Sequence, residues 1–314
     1  MNSERPHARL PSEWICLLLG LVILLLPSTG ALAAATDQTF ATPDDAASAL
    51  VTAVKSGDGK AIRKVLGDSG PDLSSGDPVA DRKARENFAT AFEAKHSIAQ
   101  DGDAAKLLLG NDDFPFAFPL VKTGDRWRFD TIAGKTEIIA RRIGENELYT
   151  IKVMQAIADA QREYASEDRD GDGVLAYAQK FMSSPGKRDG LYWKTKAGET
   201  PSPLGPLVVD ASSEGYRLNK SGPMPYHGYL YRMLKGQGAA AGGAAFDYVV
   251  HGRAIGGFAV VAYPAKYGSS GIMTFIVNQD GKVFQTDLGP RTQARASEMK
   301  RFDPGTAWSP AAGP

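Results

Sequence analysis

The feature of this sequence that most constrains its fold is a long run of helical periodicity between stretches that alternate like strands. From Lys135 to about Ser166, apolar residues recur three or four positions apart, which is the spacing of one helix face. The members of this stripe are Ile138, Ile139, Ile143, Leu148, Ile151, Met154, Ile157, Ala158 and Tyr164. Gly144 predicts a break in the helix. We interpret the stripe as a core face, and helices followed by antiparallel strands indicate an α+β fold.

The N-terminal segment, residues 1–33, has the features of a signal peptide. Basic residues precede an apolar run at 14–26, which is too short to span a bilayer comfortably. The small residues that follow predict cleavage after Ala33 or Ala35. We therefore expect a periplasmic or secreted bacterial protein that keeps no stable membrane anchor after cleavage.

Cysteine usage and charge exclude several classes of function. The single cysteine, Cys16, lies inside the apolar run, so the mature chain would carry none. Disulfides, a thiol nucleophile and thiolate metal ligands are then excluded. The 36 basic residues equal the acidic residues in number, and a net charge of zero argues against nucleic acid or an anionic membrane as the main partner.

Residues 38–133 are predicted to form an N-terminal α+β domain in which helices precede an antiparallel sheet. Thr42 and Pro43 suit the start of the first helix. The alternation in "RWRFD" places Trp127 and Phe129 on one face of a strand. The order of elements resembles the cone-shaped fold of the nuclear transport factor 2-like group, which implies a cone that can hold a small ligand.

Residues 134–290 are predicted to form a second α+β domain, and residues 291–314 a flexible tail. After the long helix, a short helix at 175–185 and an antiparallel meander are expected. The predicted strands cover residues 226–234, 246–252, 257–264, 272–279 and 282–286. A long helix followed by a meander resembles the globular half of type IV pilins and pseudopilins. Because this helix is amphipathic and follows another domain, the resemblance implies a fold and not filament assembly.

The stretch "DRDGDGVLAYAQ", residues 168–179, partly matches a helix–loop–helix calcium site. Such a loop needs oxygen ligands at positions 1, 3, 5, 7, 9 and 12 and a glycine at position 6, where Gly173 stands. The candidate metal ligands are Asp168, Asp170, Asp172, Val174 (through its carbonyl) and Gln179. The match is incomplete, because Ala176 offers no side-chain oxygen and Gln179 stands where calcium loops have a bidentate glutamate.

Two interpretations of this loop stay open. Calcium, the one cofactor that the sequence suggests, could bind weakly, with a dissociation constant on the order of 10⁻⁴ to 10⁻³ M. Alternatively, the aspartates cap backbone groups and the glycines supply positive φ in a turn without metal.

A second candidate site surrounds the histidine of "PYHGY". Trp193, Tyr226, His227 and Tyr229 are candidates to line an aromatic groove for a small ligand. Ordinary sheet packing explains the same residues, since aromatic side chains are common in strands. No catalytic residue is assigned from the sequence.

Several separate motifs resemble one exported bacterial group, the domain-of-unknown-function family 2950. The motifs are "FPFAFPLVKTGDRWRFDT", "RRIGENEL", "DGDGVLAYAQKF", "DGLYW", "PYHGYLYRML" and "GIMTFIVNQDGKVF". The resemblance covers residues 38–288 and implies an exported protein without an established activity, so it assigns no catalytic residue.

Two functional hypotheses follow. The first is a non-enzymatic envelope protein that binds a partner protein or contributes to an assembly. The second is a small-molecule binder or hydrolase that uses a cone cavity or the aromatic cluster around His227.

Overall fold

In the computed structural model, residues 38–67, 73–169, 171–217 and 224–312 are described. The predicted signal peptide lies outside these residues. Helices and antiparallel sheets make up the described part, which confirms the predicted α+β class. None of the helices in these ranges is both long enough and apolar enough to cross a membrane.

Three helices open the described chain, and each begins at a side chain that caps it. They are α1 (Pro43–Ser56), α2 (Gly59–Leu66) and α3 (Pro78–Ala94). Thr42 and Asp45 form a capping box in which each side chain accepts the backbone N–H of the other at 3.1 Å. Asp58 and Asp77 accept first-turn N–H groups of α2 and α3. The predicted start of the first helix is confirmed.

The first sheet is antiparallel and packs against these helices. Its strands are β1 (His96–Asp101), β2 (Ala104–Leu109), β3 (Phe114–Pro115), β4 (Leu120–Thr123) and β5 (Arg126–Phe129), in the order β1-β2-β4-β5 with β3 beside β2. Trp127 and Phe129 are buried and Arg126 is exposed, as their alternation predicts. They share one hydrophobic cluster with Leu50 of α1 and Leu120 of β4.

Helix α4 (Thr131–Ala165) is 35 residues long and follows the first sheet. Its second half buries one face, including Ile151, Met154 and Ile157, in the core of the second sheet. The predicted break at Gly144 is wrong, because the helix runs through it. An interior glycine costs only about 1 kcal/mol, and the Asn146 side chain fixes the next turn by donating to the Ser270 carbonyl at 2.8 Å.

The second sheet is also antiparallel and is covered on both faces. Its strands are β6 (Tyr229–Leu234), β9 (Ala259–Pro264), β10 (Met273–Asn278), β11 (Phe284–Asp287) and β13 (Ser309–Pro310), in the order β13-β11-β10-β9-β6. Every residue of β9 is buried. Val260 packs in the cluster that contains α4, whereas Val261 packs in a second cluster with Phe302.

The segment after residue 290 does not form the flexible tail that we expected. It contains α6 (Thr292–Glu298), and β12 (Arg301–Phe302) joins β7 (Gly236–Gln237) and β8 (Phe246–Asp247) in a small sheet. Ala296 is 0% exposed and Phe302 is 2% exposed, both against the second sheet. Burial of apolar surface orders this segment, although its polar composition gave no such signal.

The finer points of the architecture stay predictions. They are the domain boundaries at 38–133 and 134–290, the likeness of the first part to a nuclear transport factor 2-like cone, and the likeness of the second part to pilins. A further helix, α5 (Gly205–Ser213), lies between α4 and β6 in the chain.

Candidate functional site

The aspartate loop, residues 168–179, is organised around one carboxylate. Asp168 accepts hydrogen bonds from the backbone N–H groups of Gly171 at 2.8 Å, Asp172 at 3.2 Å and Gly173 at 2.8 Å. Gly171 and Gly173 have φ of +76° and +82°, the left-handed region that glycine adopts without a Cβ penalty. The loop therefore has both features of the metal-free turn: an aspartate that caps backbone N–H groups and glycines with positive φ.

Two other predicted ligands of this loop, Asp172 and Gln179, contact protein groups. Asp172 accepts the backbone N–H of Val174 at 2.9 Å and pairs with Arg253. Gln179 donates through Nε2 to the Gly252 carbonyl at 2.6 Å. The loop is thus anchored to the turn at 252–253.

The helix expected at 175–185 does not form, so the loop is not flanked by two helices. Residues of this stretch instead form isolated bridges, from Tyr177 to Ala254 and from Met182 to Tyr192. Backbone pairing with distant segments has replaced local helical hydrogen bonds, which sequence spacing alone does not reveal.

Calcium binding by this loop stays a prediction. Asp170, at the third position of the loop, lies outside the described residues. Within the described ranges, no group of three or more His, Cys, Asp or Glu side chains is arranged to hold a metal ion. Two of the three predicted aspartate ligands, Asp168 and Asp172, are described, and their carboxylates accept the hydrogen bonds given above.

The second candidate site centres on a tight turn that contains His227. Tyr226 and Tyr229 exchange backbone hydrogen bonds of 2.9 and 3.1 Å across the turn. His227 and Gly228 between them have φ of +47° and +73°, as in a type I′ turn. A non-glycine residue in this region is uncommon, and the contacts of His227 explain how the conformation is held.

His227 is enclosed by aromatic rings and a carboxylate. Its ring stacks on Tyr149 of α4 with centroids 3.6 Å apart and meets Tyr226 edge-on at 4.5 Å. Its Nε2 lies 2.7 Å from Glu214 Oε2, and the side chains of His227 and Glu214 are 22% and 32% exposed. The hydroxyls of Tyr149 and Tyr226 are 3.1 Å apart. Burial, together with the hydrogen bond between its hydroxyl and that of Tyr149, raises the pKa of Tyr226.

A buried aspartate joins this cluster to α3. Asp77, which is 1% exposed, caps α3 through Oδ1. Its Oδ2 accepts the Tyr216 hydroxyl at 2.9 Å and the Gly228 N–H at 3.0 Å. Burial raises the pKa of Tyr216, and the Asp77 carboxylate raises it further, so this hydroxyl remains a donor. We name Asp77, Tyr149, Glu214, Tyr216, Tyr226 and His227 the His227 cluster.

Two of the four predicted groove residues belong to this cluster and two do not. Tyr226 and His227 are members. Tyr229 is 0% exposed and donates its hydroxyl to the Met273 carbonyl at 2.9 Å in the sheet core. Trp193 lies under the guanidinium groups of Arg169 and Arg188, at 5.8 and 5.4 Å.

The remaining members come from distant parts of the chain, so no local motif could group them. Asp77 followed by Pro78 is a recognisable helix start, and it is the one signal that could have singled out a member. Tyr149 and Glu214 carry no such signal.

The first half of α4 forms one wall of an apolar groove of about 700 Å³, which we name the α4 groove. Its lining consists of Thr131, Ile132, Lys135, Thr136, Ile139, Ala140, Ile143, Gly144, Gly268 and Ile272. Ile132 is 80% exposed. In the first half of the helix the predicted apolar stripe is therefore divided: Ile138 packs against the cluster of the first sheet, whereas Ile139 and Ile143 line this groove.

The cavity beside the first sheet is small by comparison. It measures about 10 Å³ and lies beside Leu66, Phe118 and Thr131. This is about the space of one water molecule.

Comparison with known proteins gives a family and no activity. No curated protein and no solved structure matches the chain. One family model, described as a protein of unknown function (DUF2950), matches residues 37–311. Because this match spans nearly the whole chain, the protein belongs to the DUF2950 family, as its sequence motifs predicted.

Proposed function

We propose that this chain is an exported, non-enzymatic assembly protein of the bacterial envelope, which associates with a second copy of itself through the α4 groove. The observation that carries the proposal is the groove itself, an apolar surface beside a side chain, Ile132, that is 80% exposed. Contiguous exposed apolar surface marks interaction sites in soluble proteins. Export is proposed from the N-terminal segment alone.

The spacing of the groove residues suits contact with another helix. Ile132, Thr136, Ile139 and Ile143 follow one another at three or four positions, so they share one face of α4. At a rise of 1.5 Å per residue this face is about 16 Å long. The small residue Ala140 beside it permits a close approach of two backbones.

The charges at the two ends of the groove favour a second copy as the occupant. Lys135 lies at one end. At the other end, Glu147 is held by accepting the N–H groups of Ile272 at 2.9 Å and Met273 at 3.0 Å. When two α4 helices pair antiparallel with Ile139 opposite Ile143, Lys135 of each copy lies opposite Glu147 of the other. A two-fold axis forms this ion pair twice, as in an isologous interface.

Analytical ultracentrifugation of the mature chain over a concentration series tests the proposal. The wild type is expected to show a concentration-dependent dimer. Ile139→Asp is expected to be monomeric, because it places a charge in the centre of the interface. Leu148→Asp is the matched control, since Leu148 is 49% exposed on the same helix outside the groove.

Two outcomes contradict the proposal. One is a wild type that stays monomeric at every concentration. The other is an Ile139→Asp variant that dimerises as the wild type does, with its circular dichroism spectrum unchanged.

The second hypothesis, a ligand site or hydrolase at the His227 cluster or in the cone, has less support. Polar groups of the cluster bond mainly to one another, as in the contacts of His227 with Glu214 and of Tyr216 with Asp77. We propose that the cluster is a structural joint between the start of α3 and the turn at His227. The cavity of about 10 Å³ beside the first sheet is too small for an organic ligand.

A further inference from the structure

A cavity of about 220 Å³ lies between the end of α4, the aspartate loop and the turn at 252–253, and we name it the loop pocket. Tyr164, which is 6% exposed, and Tyr177, which is partly buried, are among its lining residues. A buried water needs roughly 10–15 Å³, so the pocket has room for more than isolated solvent. It is smaller than the roughly 300–1,000 Å³ of pockets for drug-sized ligands. Its size therefore fits a single small ring.

Three cationic side chains line the loop pocket, and each is paired with a carboxylate. The pairs are Lys180–Asp189 at 2.7 Å, Arg169–Glu167 at 3.0 Å, and Arg253–Asp172. These three pairs are neutral as a set. An anionic ligand would have to compete with a carboxylate for its cation, and separating a partly buried pair is costly. The charges thus argue against a phosphate or a carboxylate ligand.

Paired ions suit a ligand that both donates and accepts hydrogen bonds. A hydroxyl group does both, so neighbouring hydroxyls on a ring can accept from the Lys180 ammonium and donate to Asp189 without separating them. Asp189 has to be ionised in order to accept a hydrogen bond from a hydroxyl while it stays paired with Lys180. Burial alone would raise the pKa of Asp189, but hydrogen bonds from Lys180 and from the Ser184 N–H lower it to about 2.

The walls of the pocket are fixed by contacts within the protein. The Arg169 side chain is 9% exposed and donates to the Glu163 carbonyl at 3.2 Å. Its guanidinium lies 6.0 Å from the ring centroid of Tyr164. Gln179 is held by the Gly252 carbonyl at 2.6 Å. Groups that are ordered before binding lose little conformational freedom when a ligand arrives.

We propose that the loop pocket binds one neutral polyhydroxylated molecule the size of a single sugar ring. The aromatic ring of Tyr177 would cover apolar C–H atoms of the sugar, and the Lys180–Asp189 pair would hold two of its hydroxyls. This site is separate from the α4 groove, so its occupancy does not depend on self-association.

Saturation-transfer NMR and thermal melts of the mature chain test this inference, with glucose, galactose and mannose as probes. Glucuronate serves as the anionic analogue. At about ten times the dissociation constant, a bound sugar is expected to raise Tm by about 2–4 °C. Lys180→Met and Asp189→Asn are each expected to raise the dissociation constant of the sugar at least about tenfold. Each variant removes one of the two charged groups that bind the hydroxyls.

Lys55→Met is the matched control, because it removes a lysine from a comparable ion pair, with Glu93 at 2.5 Å, between α1 and α3. It is expected to bind the sugar as the wild type does. Three results overturn the inference: no response to any of the three sugars, tighter binding of glucuronate than of its neutral analogue, or unchanged sugar binding by Lys180→Met. The NMR signal of the wild type decides the first two even if a variant fails to fold.

Discussion

The carboxylate of Asp77 accepts a hydrogen bond of 2.9 Å from the hydroxyl of Tyr216, although 139 residues separate the two in the chain. The same oxygen accepts the N–H of Gly228 at 3.0 Å, and the other oxygen caps α3. Asp77 is almost fully buried, so all of these contacts are shielded from water. The Asp77 side chain therefore connects the start of α3 with the turn that contains His227.

Replacement of Asp77 by alanine is expected to lower the free energy of unfolding by at least about 3 kcal/mol. Loss of a helix cap costs about 1 kcal/mol, and each buried donor left without a partner costs about 1–3 kcal/mol. Urea denaturation of the mature chain measures the change. Asp58→Ala, at the exposed cap of α2, is the control and is expected to cost about 0.5–2 kcal/mol. Equal losses in the two variants would contradict a joint at Asp77.

Charge reversal at the α4 groove is expected to weaken the proposed dimer. Lys135→Glu places a glutamate opposite Glu147 at both ends of the interface, which should raise the dimer dissociation constant about tenfold. Lys135→Glu combined with Glu147→Gln should recover part of this loss, because the amide oxygen still accepts the Ile272 and Met273 N–H groups. Lys152→Glu, on the exposed face of the second half of α4, is the control. A double variant no better than Lys135→Glu would rule out the antiparallel register.

Stability at acid pH is expected to depend on Asp189. Its folded pKa of about 2 is below the ordinary value of 3.8. A carboxyl with a lowered pKa contributes stability that is present above its unfolded pKa and is lost as the pH falls through the folded pKa. The Tm difference between the wild type and Asp189→Asn should therefore be constant above about pH 5 and shrink between about pH 4 and pH 2. A difference that does not change down to pH 2 is the contrary result.

The calcium prediction for the aspartate loop is tested most sharply at Arg253. This guanidinium pairs with Asp172, a predicted ligand, so calcium has to displace it. We expect calcium to raise the Tm of the wild type only in about the millimolar range. Arg253→Gln should lower the concentration needed, and Asp170→Ala should abolish the effect. If the Tm of all three proteins is the same with calcium and with chelator, the calcium prediction is wrong and the loop is a metal-free turn held by Asp168.

Export is tested by the mass of the mature protein. Expression of the full chain in a bacterial host, followed by mass spectrometry of the periplasmic fraction, is expected to give a chain that begins at Ala34 or Thr36. Ala33→Arg combined with Ala35→Arg should block processing, because signal cleavage requires small residues there. An unprocessed wild-type chain in the cytoplasm is incompatible with the predicted signal peptide.

The sequence by itself determined the features that depend on neighbouring residues. Thr42 and Pro43 marked the start of α1 because capping involves residues within one turn. The alternation of Trp127 and Phe129 predicted the buried face of β5 because side chains of a strand point to opposite faces in turn. Six quoted motifs indicated the family that the family model then matched.

Only the tertiary structure decided the features that depend on contacts between distant residues. Residues 175–185 bridge to segments near Ala254 and Tyr192 instead of forming a helix, and Phe302 orders a polar segment by burial against the second sheet. The stripe of α4 is a core face where the second sheet covers it and an open groove around Ile139, with the same helical spacing in both. Local spacing specifies which face of an element is apolar, but the partner that covers that face is chosen by the packing of the whole chain.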